Sequence, residues 1–136
     1  MKSKKTLFGA TIALLLVVGL TLFLSLKPND GVMTRKGDVY IVNTTKLTPE
    51  LRGYGGAVPL EVKITNDKIT DLRALPNHET PEFFNSAKSK LFAYYKGKTV
   101  KAALASRPDA VSGATYSSRA IMGNVEEALK YYQAHK

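Results

Sequence analysis

The sequence predicts an α+β protein: a single N-terminal transmembrane helix, followed by a small domain with an antiparallel sheet packed by two helices. Three patterns of apolar residues predict this class. Residues 6–26 contain no charged side chain, and an apolar run of that length suffices to cross a bilayer as a helix. Residues 58–64 alternate apolar and polar side chains, as in a half-buried strand. Residues 83–94 and 121–132 repeat apolar side chains at helical spacing.

Composition narrows the possible functions. The chain has 136 residues, enough for one membrane segment and one domain of about 100 residues. It has no cysteine, which excludes disulfides, thiolate metal sites and thiol redox chemistry. The formal net charge is +9, but the basic residues are scattered and no nucleic-acid-binding motif is present. Nucleic acid is therefore a poor candidate partner. A solvated, moderately basic surface is one interpretation of this charge, and attraction to anionic lipid or small anions is the other.

The N-terminal segment, residues 1–26, is predicted to be a cytoplasmic tip and a transmembrane anchor. Lys2, Lys4 and Lys5 precede the apolar run, and positive residues favour the cytoplasmic side. A cleaved signal peptide is the alternative, although residues 22–26 offer no clear small-x-small cleavage site. The expected location is the cell membrane, as a single-pass protein whose N-terminus is cytoplasmic and whose C-terminal domain is extracytoplasmic.

The next segment is predicted to be a linker and then the β portion of the domain. Residues 27–36 begin with a polar, turn-forming stretch and are assigned to the linker, which leaves residues 37–136 for the domain. Residues 38–42 are β-branched and aromatic, which predicts an edge strand. The strand at 58–64 is expected to pair with 69–75 as a hairpin, because Asn66-Asp67 is a turn signal.

Two amphipathic helices are predicted after the hairpin. Thr80 is expected to be an N-cap with Pro81 at the first helical position, and the first helix has this apolar stripe: Phe83, Phe84, Ala87, Leu91 and Tyr94. The closing helix has its own stripe: Ile121, Met122, Val125, Leu129 and Tyr132. Residues 97–104 are predicted to be a short strand or an irregular connection.

The stretch before the closing helix is the main candidate site. Ser112 and Thr115 are residue types that start helices, and Gly113 with Ala114 leaves the backbone between them uncrowded. The Thr115 hydroxyl is therefore predicted to lie at a helix N-terminus, where unpaired N–H groups and the helix dipole favour an anion such as phosphate. An ordinary N-cap is the alternative interpretation.

This stretch also resembles a known motif. Asp109, Ser112, Gly113, Ala114 and Thr115 match Asp-x-x-(Ser/Thr)-Gly-Ala-(Thr/Ser), which is similar to the flavinylation motif of the FMN-binding domain family. That family includes the G subunit of the Rnf complex and the C subunit of the sodium-translocating NADH:quinone reductase. In those relatives a flavin transferase moves FMN from FAD onto the last Thr or Ser as a phosphoester. The resemblance implies that Thr115 carries covalent FMN and that Asp109 is read by the transferase.

Two further motifs extend the resemblance over roughly residues 53–132. Residues 53–56, Gly-Tyr-Gly-Gly, resemble the segment that opens the central hairpin of that family. Residues 77–81, Asn-His-Glu-Thr-Pro, resemble the loop that borders the flavin ring, although Glu82 stands where relatives often have Gly. The resemblance implies a set of FMN-binding residues: Tyr54, Gly55, Gly56, His78, Glu79, Thr80, Ser112, Gly113, Ala114 and Thr115. Their positions beside Thr115 add Arg119, as a phosphate contact, and Tyr116, for which packing on the domain is the alternative. Arg107 is a further candidate for a phosphate contact, and solvent exposure is the alternative for both arginines.

The residues themselves offer no chemistry without a cofactor. No Ser-His-Asp arrangement, metal-ligand spacing or carboxylate pair is present, so neither a catalytic group nor a metal site is predicted. The expected function is electron relay by a flavoprotein whose partners are a flavin transferase and membrane redox subunits or a quinone-linked reductase. Two alternatives remain: a module that binds flavin or phosphate noncovalently, and a small structural subunit of a membrane complex.

Overall fold

The computed structural model describes residues 30–136. The predicted transmembrane anchor, the lysines before it and the first part of the linker lie outside these described residues. Within residues 30–136, none of the helices combines the length and the apolar character that a membrane crossing requires.

Four strands form one antiparallel sheet in the chain order β1-β2-β3-β4. The strands are β1 (Met33–Lys36), β2 (Val39–Asn43), β3 (Leu60–Thr65) and β4 (Lys68–Ala74). Three helices follow: α1 (Pro81–Tyr95), α2 (Val100–Ala105) and α3 (Thr115–His135). The helices α1 and α3 pack against each other and on one face of the sheet. The predicted α+β class is confirmed for the described domain.

The core lies between that sheet face and the two long helices. In β3, Leu60, Val62 and Ile64 are fully buried, and the residues between them are half-buried on the other face. The predicted alternation is thus confirmed, since successive strand residues point to opposite faces. The predicted hairpin is also present: Asn66 and Asp67 form its turn with φ of 52° and 58°, the left-handed conformation that two-residue hairpin turns of type I′ require.

The first strand was not predicted, and it changes the position of its neighbour. Residues Met33–Lys36 fall within the range assigned to the linker, yet they pair with β2 along its whole length. The predicted edge strand is therefore an interior strand, hydrogen-bonded on both sides. β1 escaped detection because its side chains are mostly exposed and polar, and main-chain pairing holds it in place. Gly37-Asp38, a two-residue hairpin turn, was the signal that could have revealed it.

A third helix also departs from the prediction of two. Residues 97–104 were expected to be a strand or an irregular connection, yet most of them lie in α2. Its N-cap Thr99 accepts a hydrogen bond from the Ala102 N–H at 3.1 Å. Only the segment before this helix has strand character, because Lys68 and Thr99 form a single β-bridge. Residues 100–105 form a helix because Thr99 provides an N-cap and the alanines that follow it have high helix propensity.

The stripes of the two long helices are mostly confirmed. In α3 the predicted residues are buried or half-buried. In α1, Phe84, Ala87 and Leu91 are buried and Tyr94 is half-buried against the core, but Phe83 is 49% exposed. Tyr95, which was not predicted, is also buried. Adjacent residues differ by about 100° around a helix, and here Phe84 lies on the buried side of α1 while Phe83 lies at the border of that side. Phe83 is thereby available to a surface pocket.

Candidate functional site

The start of α3 is held by a compact turn. The Val111 N–H donates to Ser118 Oγ at 2.9 Å, and the Ala114 N–H donates to the Val111 carbonyl at 3.0 Å. Val111 and Ala114 are both buried, so the turn is anchored from below. Gly113, between them, has φ +80°, a conformation that side chains other than glycine rarely adopt. The turn fixes where the helix begins.

Thr115 is the first residue of this helix, and its side chain is exposed. It is not an N-cap: Ala114 occupies that position, with no side-chain cap. The first N–H bonded within the helix is that of Ser118, to the Ala114 carbonyl at 2.9 Å. The N–H groups of Thr115, Tyr116 and Ser117 have no acceptor among residues 30–136. Together with the helix dipole, these groups favour an anion beside the Thr115 hydroxyl.

A buried carboxylate ties a second segment to this helix start. We call residues 53–56 the glycine loop. The Tyr54 N–H donates to Glu79 Oε1 at 3.0 Å, and the Gly55 N–H donates to Glu79 Oε2. Glu79 Oε1 also accepts a hydrogen bond from Ser117 Oγ at 2.7 Å. One side chain therefore joins the glycine loop to the first turn of α3.

The glycines of this loop are required by that close approach. A Cβ atom added to Gly53 would lie 1.8 Å from Glu79 Oε1, and one added to Gly55 would lie 2.1 Å from the His78 carbonyl oxygen. Both distances are far below any van der Waals contact, and in the second case the obstacle is backbone. The glycine loop can lie against the His78 backbone only without a side chain at Gly55, and a side chain at Gly53 would displace the Glu79 carboxylate.

The glycine loop, α1 and α3 enclose a pocket with a volume of about 470 Å³. This size lies within the range of about 300–1,000 Å³ that is usual for small-molecule and cofactor sites. The pocket is lined by the following residues: Tyr54, Thr80, Phe83, Gly113, Ala114, Thr115, Tyr116 and Ser117. Its walls are mainly apolar, and they include Thr115, Tyr116 and Ser117, whose N–H groups have no acceptor among residues 30–136.

Three aromatic rings in this pocket are unusually exposed. Tyr54 is 81% exposed, Tyr116 is 63% exposed and Phe83 is 49% exposed. The rings of Tyr54 and Tyr116 have centroids 6.5 Å apart with an interplanar angle of 49°. Exposed aromatic rings beside a helix N-terminus offer the kind of surface that suits a flat apolar ligand with an anionic group.

The structure brings together six of the sequence-predicted site residues in this pocket: Tyr54, Thr80, Gly113, Ala114, Thr115 and Tyr116. The remaining ones lie around it or behind its wall. Thr80 precedes α1 as expected, but its hydroxyl makes no capping hydrogen bond. His78 is exposed, whereas Glu79 is buried beneath the glycine loop. Gly55, Gly56 and Ser112 do not line the pocket.

Sequence reasoning missed Phe83 and Ser117 as pocket residues. Phe83 was placed in the core stripe, but it lies at the border of the buried side of α1, where periodicity alone does not separate core from surface. Ser117 lies on the first turn of α3, two residues after Thr115, so helical spacing alone could have drawn attention to it. Its hydroxyl hydrogen is already donated to Glu79.

The two candidate arginines differ in their surroundings. Arg107 Nη2 lies 3.0 Å from Glu126 Oε2, in an ion pair beside a separate small cleft between α2 and α3. Arg119 is exposed and has no ion pair among residues 30–136. It follows Thr115 by four residues in α3, which places both on the same helix face. Asp109 is exposed in the segment before the turn.

Comparisons with known proteins agree with this geometry. The sequence model of the FMN-binding domain matches residues 53–130, which include the glycine loop, Glu79 and the start of α3. The chain is also 32% identical, over 110 residues, to the G subunit of the proton-translocating ferredoxin:NAD(+) oxidoreductase complex of Clostridium ljungdahlii. That alignment covers 74% of this chain and 58% of the relative, so the chain spans little more than half of the relative's length. Because the family match covers more than half of the chain, the chain belongs to the FMN-binding domain family.

Proposed function

We propose that this chain is a membrane-anchored, extracytoplasmic flavoprotein that carries FMN covalently through a phosphoester to Thr115 and relays electrons between membrane redox partners. The observation that carries the proposal is the position of Thr115. Thr115 is the exposed first residue of α3, and it lines a pocket with aromatic walls. A phosphate and a flat ring system are the two parts that such a site accommodates.

The residues of the pocket fit the two parts of FMN separately. The free N–H groups of residues 115–117 and the positive end of the α3 dipole suit the phosphate. Arg119, on the same helix face as Thr115, adds a positive charge that suits it too. Tyr54, Phe83 and Tyr116 provide apolar surface for the isoalloxazine ring. When bound, FMN supplies one- and two-electron redox chemistry, and the protein holds and orients it.

The proposed attachment needs a nucleophile, and Thr115 provides it. Its hydroxyl oxygen would form a bond to the FMN phosphorus of FAD, while the pyrophosphate P–O bond breaks, AMP leaves and the hydroxyl proton is released. A flavin transferase would catalyse this exchange, since the described residues that line the pocket around Thr115 include no His, Asp or Glu. The exposure of Thr115 and Asp109 supports access by such an enzyme.

The sequence and the similarity support the cellular setting that we propose. Residues 6–26 would be the anchor, 27–36 would contain the connection and 37–136 the extracytoplasmic domain, of which β1 is also part. The relative is named as a subunit of a ferredoxin:NAD(+) oxidoreductase complex, which supports redox subunits as partners of this chain. A covalent bond would prevent loss of the flavin outside the cytoplasm, and the anchor would keep it near membrane partners.

The decisive measurement is the intact mass of the denatured protein after coexpression with a flavin transferase. A mass increase equal to FMN minus one water, mapped to the peptide with Thr115, is the expected result. An unmodified mass, with no yellow fluorescence in a denaturing gel, would refute covalent attachment.

A noncovalent flavin or phosphate site is the second candidate function. The free N–H groups at the start of α3 favour it, because they bind an anion whether or not an ester forms. Denaturation followed by ultrafiltration distinguishes the two candidate functions. A noncovalent flavin would pass into the filtrate, whereas a covalent flavin would stay with the protein.

A further inference from the structure

The carboxylate of Glu79 has an unusual environment for a charged group. Its residue is only 7% exposed, and it forms no ion pair with any cation among residues 30–136. Instead it accepts hydrogen bonds from two consecutive backbone N–H groups, those of Tyr54 and Gly55, and from the hydroxyl of Ser117. Consecutive N–H groups form an anion-binding concavity. Here the group that occupies this concavity is the carboxylate of Glu79.

This carboxylate lies behind the pocket wall and not on it. Tyr54 and Ser117, which donate to it, both line the pocket, whereas Glu79 does not. The hydrogen bonds that connect Glu79 to the pocket therefore run through these two lining residues.

We infer that Glu79 is a positioning residue: its carboxylate clamps the glycine loop to the first turn of α3 and thereby fixes the ring of Tyr54 opposite that of Tyr116. The inference rests on the proposed function insofar as the group to be positioned is a flavin attached at Thr115. The clamp sets the ring side of the pocket, while Thr115 holds the phosphate side.

The contacts require a carboxylate of this length. Both of its oxygens accept from N–H groups, so glutamine would place an NH₂ group against one of these donors. Aspartate is shorter by one methylene and would not reach both elements. The absence of side chains at Gly53 and Gly55 allows the loop to close around this group. Loop and carboxylate are thus matched to each other.

Amide hydrogen exchange in the flavin-free, full-length protein tests the clamp directly. In Glu79→Gln, at least one of the Tyr54 and Gly55 amides should exchange about tenfold faster or more, because a hydrogen bond to a charged group is lost. The matched control is Glu61→Gln, which breaks a 2.7 Å ion pair with Arg73 on the sheet and should leave both amides unchanged. Unchanged exchange in Glu79→Gln would overturn the inference.

The visible circular dichroism of the attached flavin tests positioning. Glu79→Gln should still gain the mass of FMN at Thr115 but lose most of the induced flavin signal, whereas Glu61→Gln should keep it. Faster amide exchange with an intact flavin signal would refute a positioning role. If the Gln variant does not fold, Glu79→Asp is measured in its place, with the same expected losses. A wild-type protein without flavin would refute the proposed function alone, and amide exchange would still decide whether the clamp exists.

Discussion

At the scale of single residues, the informative feature of Thr115 is what its hydroxyl does not do. It makes no hydrogen bond within residues 30–136 and caps no helix. A threonine at a helix start is ordinarily explained by its cap, which is worth about 0.5–2 kcal/mol. That explanation does not apply to Thr115, because Ala114 is the N-cap. The exposed Thr115 hydroxyl is therefore accessible to a ligand.

Thr115→Val should therefore separate function from stability. Covalent flavin should disappear, because valine has the shape of threonine without its hydroxyl. The free energy of unfolding should change by no more than about 0.5 kcal/mol, as for an exposed residue without partners. Intact mass and urea denaturation measure the two effects. The matched control is Thr34→Val on the exposed side of β1, which should keep the flavin. Retained covalent flavin in Thr115→Val would contradict the site assignment.

Gly113 illustrates a residue whose importance lies in the backbone alone. A Cβ atom at this position would meet nothing within 4 Å, but φ is +80°. Gly113→Ala should therefore lower the free energy of unfolding by about 1–2 kcal/mol, the cost of a left-handed conformation for a residue with a side chain. Thermal or urea unfolding measures this. Gly113→Asn should lose less, since asparagine tolerates that conformation. Equal stability of the alanine variant and wild type would show that the turn adopts another conformation.

At the scale of elements, α3 connects the pocket to the opposite end of the sheet. Its N-terminus lies at the pocket, and near its C-terminus the Tyr132 hydroxyl donates to Asp67 Oδ1 at 2.6 Å, in the β3–β4 turn. Lys136 Nζ lies 2.6 Å from the same oxygen. The hydrogen bonds from Lys136 and Tyr132 lower the pKa of Asp67, while burial, and then the bond to Asp67, raise the pKa of Tyr132 to about 12. The turn and the helix end thus stabilise each other.

Asp67→Asn should reveal this link through its pH dependence. Because the pKa of Asp67 is lower in the folded protein than its ordinary value of 3.8, ionised Asp67 stabilises the fold above that pH, and this contribution is lost as the pH falls through the folded-state pKa. Wild type should exceed the variant in stability at neutral pH, and the difference should shrink below pH 3.8.

Urea denaturation across the acid range measures this difference. Asparagine also tolerates the positive φ of this turn position, so the comparison isolates the charge. Asp71→Asn is the control, since Asp71 has only a 3.9 Å contact with Lys96. A difference between wild type and Asp67→Asn that stays constant with pH would refute the proposed charge effect.

At the scale of the whole molecule, the hydrophobic core and the pocket occupy different parts of the described domain. The core between sheet and helices supplies stability, and the pocket lies at one end, where loops and helix starts meet. Apolar rings that stay exposed in the folded state contribute less to stability than buried ones. The grouping of three exposed rings at one pocket therefore indicates a binding surface. In the proposed setting, an apolar N-terminal segment would hold this surface within reach of membrane partners.

Deletion of residues 1–26 should release the protein from the membrane. The full-length protein should remain with membranes after a carbonate wash, and the deletion variant should appear in the soluble fraction, because it lacks the apolar segment. Full-length protein that washes off the membrane, or whose mass lacks this segment, would contradict an uncleaved anchor and favour a signal peptide.

The sequence by itself determined the elements that have strong local signals. Local sequence patterns predicted three of these elements. The strand β3 and the helix α3 follow from the periodicity of their apolar residues, and the hairpin turn follows from the residue types Asn66-Asp67. The motif at residues 109–115 located the start of α3 and led to the family. Elements held mainly by pairing, such as β1, gave little local signal and were missed.

Only the tertiary structure decided how the separated motifs combine. In the folded domain the glycine loop, Glu79 and Ser117 form one hydrogen-bonded cluster. Phe83 lines the pocket and does not lie in the core. Arg107 forms an ion pair with Glu126. These contacts join residues far apart in the chain, and their formation depends on how helices and sheet pack. Local periodicity carries no information on which partner a side chain meets, so the role of Glu79 behind the pocket wall became visible only in the folded domain.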